Sequence, residues 1–268
     1  VVNMTDFKVS VGDVTILSAS DGTFQRHGAD LFPSVTDAEW REYADVLSTD
    51  GKLTTNYGSF VVQSQGENIL VDTGMGPALP GRLLEDLNGK GVAVSDITTV
   101  VLTHLHPDHV GWNISVVDER INLTFPSARY RVPQKDLEQF RKSPHVQEQI
   151  VPLENFGVLD LMESETSITS EVTMVSTPGH TPGHMSVSIS SRGERAFILG
   201  DVIVSPLQVH ETAWELTFDS DKEQAKRTRE AVIDELERNG ILVGAGHFLT
   251  PSFGRFVKSK GRRYWQGI

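Results

Sequence analysis

Three imidazoles and a carboxylate fall within six residues of this chain: His104, His106, Asp108 and His109, inside the stretch Thr103 to Gly111. Neutral imidazole and carboxylate are ligands that zinc, iron, manganese and cobalt accept. A His-rich surface turn without a metal is the ordinary alternative. It loses ground because candidate ligands recur at His180, Asp201 and His247. One catalytic zinc takes three protein ligands and a water. Seven candidates suit two ions that share a carboxylate. They use five of the nine histidines, so this is a selection from the chain's histidines. There is no cysteine, which removes thiolate ligands and disulfides alike. No Gly-x-Ser-x-Gly elbow offers a serine nucleophile.

All four ligand-bearing places follow an apolar run that reads as a strand. Ile97 to Leu102 is rich in β-branched residues and delivers the His104 loop, which Pro107 stiffens and Gly111 lets turn. Val172 to Ser176 leads to His180, Ala196 to Leu199 to Asp201, and Ile241 to Val243 to His247. Strand ends gathered on one sheet edge are where sites form. Further strands are expected at 7–11 and 14–19, joined at Gly12-Asp13, with Asp21-Gly22 as a turn. A hairpin at 57–71, a strand at 128–132 and another at 185–190 follow. Thr36 with Glu39 spells a capping box for a short helix carrying Trp40, Tyr43, Ala44 and Leu47. Helices are expected at 79–87, at 134–142 with Pro144 as its stop, and from a second capping box, Ser220 with Glu223, to Arg238. Gly76, Pro77 and Pro80 read as turn residues, and Arg262-Arg263 as a solvated basic end, with packing on the sheet beside Tyr264 and Trp265 as the alternative. The pattern suggests two packed sheets with helices outside, in one domain over residues 1–268. Residues 23–47 form an irregular aromatic arm, read as core, lid or homodimer contact.

The 268 residues carry a net charge of -12, which argues against a nucleic-acid backbone as partner. No apolar run reaches the roughly 20 residues of a membrane span. Val1 to Asp6 show no signal-peptide pattern, so a cytoplasmic location is expected, with a removed leader left open. Asn113 and Asn122 head glycosylation-type tripeptides that read as chance.

The segments Val71-Asp72-Thr73-Gly74, His104-x-His106-x-Asp108-His109, Gly179-His180-Thr181-Pro182-Gly183-His184, Gly200-Asp201 and Gly246-His247 together resemble the metallo-β-lactamase-fold hydrolases. The resemblance implies an αβ/βα sandwich, two mixed sheets flanked by helices, with a metal site at one edge. It implies that His104, His106 and His180 hold one divalent ion, that Asp108, His109 and His247 hold a second, and that Asp201 bridges them. Zinc is the expected ion, with manganese, cobalt and iron as alternatives. Asp72 matches an aspartate that supports the site from behind. His184 reads as structural, and His27, His145 and His210 as ordinary.

Within that family the stretch from Asp201 to Gln208, the turn Phe218 to Asp221 and the run Gly244 to Phe248 look like methyl parathion hydrolase and its lactonase and arylesterase relatives. Related lactonases carry a tyrosine three residues after the bridging aspartate, where this chain has Val204. The short run after His247 is unlike the helical end of glyoxalase II-type thioesterases. The expected activity is opening of a lactone or cleavage of a hydrophobic ester by a metal-bridging hydroxide, with phosphotriesters as a side activity. Asp108 would pass a proton to the leaving group, and Asp201 would act as the bridge. A mononuclear iron dioxygenase of the same fold and a non-catalytic metal-binding scaffold are the competing readings. Phe24, Leu31, Phe32, Trp112, Leu207, Trp214 and Phe248 are candidate pocket walls, with core packing as the alternative for each.

Overall fold

A computed structural model describes residues 7–79 and 81–268. Val1 to Asp6 and the turn residue Pro80 lie outside the described residues. Two seven-stranded sheets dominate. The first runs, in spatial order, Lys8–Val11, Val14–His27, Lys52–Ser64, Glu67–Val71, Thr99–Val101, Arg129–Pro133 and Leu159–Met162. Its first four strands are antiparallel and its last four parallel. The second runs Thr166–Ser167, Val172–Ser176, Met185–Ser191, Glu194–Ile198, Leu242–Gly244, Phe253–Ser259 and Arg262–Gly267. It is antiparallel apart from the pair Glu194–Ile198 and Leu242–Gly244.

Period-two alternation sorts the side chains into layers. Phe60, Val62, Ile69 and Val71 point inward and meet Met174, Val187, Ile189 and Phe253 of the opposite sheet. Their neighbours Val61, Leu70 and Val100 point outward onto Leu83, Leu87, Leu137 and Leu153 from the flanking helices. On the far side, Val243, Ala245 and Phe256 pack on Ile233 and Leu236 of the helix Lys222–Arg238. The result is the expected αβ/βα sandwich. Each fully buried aliphatic or aromatic side chain contributes about 1.5–3 kcal/mol by leaving water. Among the described residues, no helix is long and apolar enough to cross a membrane.

Several elements differ from the sequence reading. Asp21-Gly22 is not a turn. The strand continues through it to His27, with a register shift between Ser20 and Thr23. Asp21 is buried and its carboxylate accepts from the backbone N–H groups of Met75, Gly76 and Leu83 and from the Trp112 indole. Pro144 opens a helix, Pro144–Gln149, at a position where its missing N–H costs nothing, instead of merely ending the previous one. The expected helix at 79–87 covers Leu83–Gly89. The long helix is capped by Asp221, which accepts from Gln224 N–H at 2.9 Å, and not by Ser220. The Ser220 N–H donates instead to the His180 carbonyl.

The basic tail is a hairpin strand. Trp265 stacks edge-on against Phe248, and Arg263 pairs with Asp234 and with Glu237 of the long helix. A hairpin at Ile114–Val117 and Arg120–Leu123 was not foreseen. Asn113 is fully buried and accepts from the Thr73 hydroxyl, so its tripeptide serves the interior.

Candidate metal centre

Five strand ends meet at one edge of the sandwich: Val71, Val101, Ser176, Ile198 and Gly244. The loops that follow them bring all seven predicted ligand residues together. His104, His106 and His180 place one ligand atom each within 4.8 Å of one another, as do Asp108, His109 and His247, and likewise His104, His109 and Asp201. Asp201 sits in the middle. Its Oδ2 lies 3.1 Å from His247 Nε2, 3.3 Å from His180 Nε2 and 3.8 Å from His104 Nε2, and its Oδ1 lies 3.3 Å from His109 Nε2. The ligand stretch is only half a loop, because Pro107–Val110 is one helical turn with Pro107 at its start.

The imidazoles are oriented from behind. The Nδ1 atoms of His109, His180 and His247 lie 2.8 Å from an Asp72 oxygen, 2.9 Å from an Asp219 oxygen and 2.8 Å from the Asn56 carbonyl. Each acceptor demands a proton on Nδ1 and leaves the Nε2 lone pair free. His104 Nδ1 lies 3.0 Å from the Thr103 hydroxyl, which itself donates to Asp72 at 2.8 Å. The Nε2 atoms of His104 and His109 are buried without any hydrogen-bond partner. His106 Nδ1 and His180 Nε2 face each other at 2.9 Å. Bare nitrogen lone pairs converging on a carboxylate are the donor set that a divalent cation fits. Asp72 adopts φ +60, a left-handed conformation that a non-glycine residue holds only at a cost, and its carboxylate thereby serves Thr103 and His109 together.

Electrostatics follow the packing. Burial disfavours ionised Asp201, but the imidazoles of His247, His109 and His104 outweigh it and hold the carboxyl well below the usual range. Burial works against protonated His247 as well, yet Asp201 pushes it up to about 8. Burial, helped by neighbouring imidazoles, keeps His104 well below its ordinary value and His106 down at about 4. His184 is structural as expected. Its Nε2 accepts the Asp201 N–H at 2.8 Å, and burial takes it down to about 3. Gly200, at φ +56, is required here, because a Cβ would lie 2.6 Å from His184 Nε2.

Three supporting groups escaped the sequence reading. Asp136 is fully buried, and its carboxylate accepts from Leu105 N–H at 3.1 Å, Thr181 Oγ1 at 2.8 Å and Gly183 N–H at 2.6 Å. It staples the His104 segment to the His180 loop. Asp219, holding His180, is paired at 3.3 Å with Arg229, a guanidinium buried within the long helix's inner face. Arg229 sits in line with Ala225, Ile233 and Leu236, and that charge in an apolar stripe was the available signal. His145, read as ordinary, contacts the Leu105 carbonyl at 2.8 Å. His27 and His210 stay away from the centre.

Above the ligands lies a mostly apolar cavity of about 210 Å³, lined by Phe24, Leu31, Tyr57, Val204, Leu216 and Phe218 among others, with Asp108, His180, Asp201 and His247 at its base. Of the seven predicted walls, Phe24 and Leu31 line it. Phe32 and Trp214 are packed with Trp40 in a core cluster, Phe248 lies under the second sheet, and Trp112 and Leu207 do not reach the cavity. The aromatic arm thus folds back on its own chain.

The profile of the Metallo-beta-lactamase superfamily matches residues 58–239, more than half of the chain. The chain belongs to this superfamily. Among curated proteins it is similar to an N-acyl homoserine lactonase of Bacillus sp., 28% identical over 154 residues, a stretch covering 49% of this chain and 57% of the lactonase. It is also similar to metallo-beta-lactamase domain-containing protein 1 of Xenopus laevis, 42% identical over 67 residues, 25% of each protein. The chain thus spans little more than half the length of the Bacillus lactonase it matches and less of the Xenopus protein. Among solved structures, hydrolase AbOPH of the beta lactamase superfamily superposes with a TM-score of 0.87 at 24% identity, covering 98% of this chain and 97% of the other. AidC, a dizinc quorum-quenching lactonase, does so with a TM-score of 0.84 at 23% identity, covering 97% and 96%. These two likenesses show the fold. The donor set gathered at the sheet edge is one that divalent ions fit.

Proposed function

We propose that this chain is a dinuclear hydrolase that opens lactones or cleaves hydrophobic carboxylic esters, with phosphotriesters as a secondary class. The observation that carries the reading is the convergence of seven donors, two with buried, unpartnered nitrogens, at the base of an apolar cavity. His104, His106 and His180 would hold one ion, Asp108, His109 and His247 the other, and Asp201 would lie between them. Zinc is the proposed ion, in keeping with the imidazole-rich set. Bound there, the ions would supply Lewis acidity and a water activated at neutral pH.

The chain's own side chains do the rest. Asp72 and Asp219 hold His109 and His180 in the tautomer that presents Nε2. Leu31, Val204, Leu216 and Phe218 exclude water and give an acyl chain an apolar wall. Asp108 is the more exposed of the two ligand carboxylates, its side chain 22% accessible against 7% for Asp201. Lining the cavity with the larger accessible surface, it would be the carboxylate to carry a proton to the leaving group. The water oxygen bonds to the carbonyl carbon, the carbon–oxygen bond to the leaving group breaks, and the proton released by the water passes through Asp108 to the departing alkoxide. The neighbouring lactonases support the lactone class.

The test is a rate assay on a medium-chain lactone, phenyl acetate and paraoxon before and after chelation. Hydrolysis of lactone or ester that vanishes on chelation and returns with zinc supports the reading. Hydrolysis that persists in fully demetallated protein contradicts it. The completeness of the Asp108, His109 and His247 group favours this reading over a mononuclear dioxygenase.

A further inference from the structure

We propose that Tyr57 is a catalytic residue, its hydroxyl donating a hydrogen bond to the acyl oxygen of the bound ester or lactone. Tyr57 lies on the strand Lys52–Ser64 and is 6% exposed. Its ring is fixed on two sides. It stacks on Phe24 with centroids 4.4 Å apart and meets His247 edge-on at 6.5 Å. The hydroxyl is not sealed in the interior but opens onto the cavity, where water or a ligand can take its hydrogen bond. No hydrogen bond from the Tyr57 hydroxyl to another protein group exists among the described residues, and the side chain lines the cavity together with Asp108, Asp201 and His247. The hydroxyls of Tyr43 and Tyr130, away from the cavity, are both hydrogen-bonded, to Glu211 and to the Asn113 carbonyl.

Tyr57 thus differs in keeping a proton donor for something that enters the cavity. A phenol is neutral and protonated at pH 7, so it can donate without adding charge beside the ligands. The ligand set supplies acceptors only, whereas an acyl oxygen gathering negative charge needs a donor. A rigid donor aimed where charge develops strengthens its bond as the reaction proceeds.

This inference rests on the hydrolase reading, and its test separates the two. Tyr57→Phe keeps the ring, its stacking on Phe24 and its edge on His247. With the zinc-loaded protein and phenyl acetate as probe, kcat is expected to fall about 10–100-fold with KM within about twofold, while melting temperature and zinc content stay unchanged. Calorimetric binding of hexanoate, whose carboxylate presents oxygens to the same place, is expected to weaken about tenfold. Unchanged kcat and unchanged hexanoate affinity would overturn the role. A variant that loses zinc or melts early would make the hydroxyl structural and overturn it too. Wild-type protein that binds hexanoate but hydrolyses nothing would defeat the hydrolase reading. Tyr57 would then stand or fall as a ligand donor on the hexanoate result. Wild-type protein that neither binds hexanoate nor hydrolyses phenyl acetate would overturn both.

Discussion

The base of the cavity and its mouth are built on different principles. At the base, three of the imidazoles are held from behind by directed hydrogen bonds: His109 to Asp72, His180 to Asp219, His247 to the Asn56 carbonyl. At the mouth, Arg26 lies over the rings of Phe24 and Phe218 at 5.6 and 5.2 Å, and Phe218 is 43% exposed. Those contacts are stacking and cation–π contacts, worth about 0.5–1 kcal/mol when exposed. The base must present lone pairs to within tenths of an ångström, which only hydrogen bonds with fixed acceptors achieve. The mouth needs only to be apolar and of the right width, so it is held by contacts that can give.

Breaking the base should therefore cost far more than breaking the mouth. Asp201→Ala removes the carboxylate common to both halves. Activity is expected to fall by more than the about 10–100-fold that supporting residues cost, with the second ion lost and the fold kept. A variant that kept full activity and two ions would remove Asp201 from its role. Asp219→Ala should come next. It frees the His180 ring and strands the Arg229 guanidinium in the interior. We expect about 3–5 kcal/mol of lost stability in urea unfolding and zinc affinity reduced about 10–100-fold. Unaltered zinc affinity would mean that His180 needs no orienting partner. The smallest effect belongs to the mouth. Phe218→Ala should leave stability within about 0.5 kcal/mol and raise KM for an octanoyl ester roughly threefold to tenfold, with acetyl esters unaffected. An equal KM change for both chain lengths would show that the wall does not read acyl length.

The same contrast explains what could be read from sequence. The gathering of the seven candidate donors was legible because ligand chemistry restricts residue type, and each follows an apolar strand that puts it at the same edge. Asp72 was legible through its motif. Asp136 and Asp219 were not, because a lone acidic residue near a helix start looks like surface until the fold buries it. Their acceptor roles depend on backbone N–H groups and side chains that arrive from distant segments, such as Leu105 and Gly183 for Asp136. The packing of the tail was the less favoured reading for a similar reason. Arg262 and Arg263 look solvated, but Arg263 and Trp265 share the inward face of that strand, where Trp265 reaches Phe248 and Phe256 and Arg263 reaches acidic groups on the long helix. Pocket walls were the least legible: Phe32 and Trp214 are as aromatic as Phe24, and only tertiary packing decides which of them faces the cavity.

The most direct test of the paired centre is the number of metal ions per chain, measured by elemental analysis of protein purified in zinc-containing medium and assayed in parallel on the lactone. Two divalent ions per chain, with activity rising in step with the second, is the predicted result. One ion per chain at full hydrolytic activity, or a single iron with no hydrolysis, would contradict it.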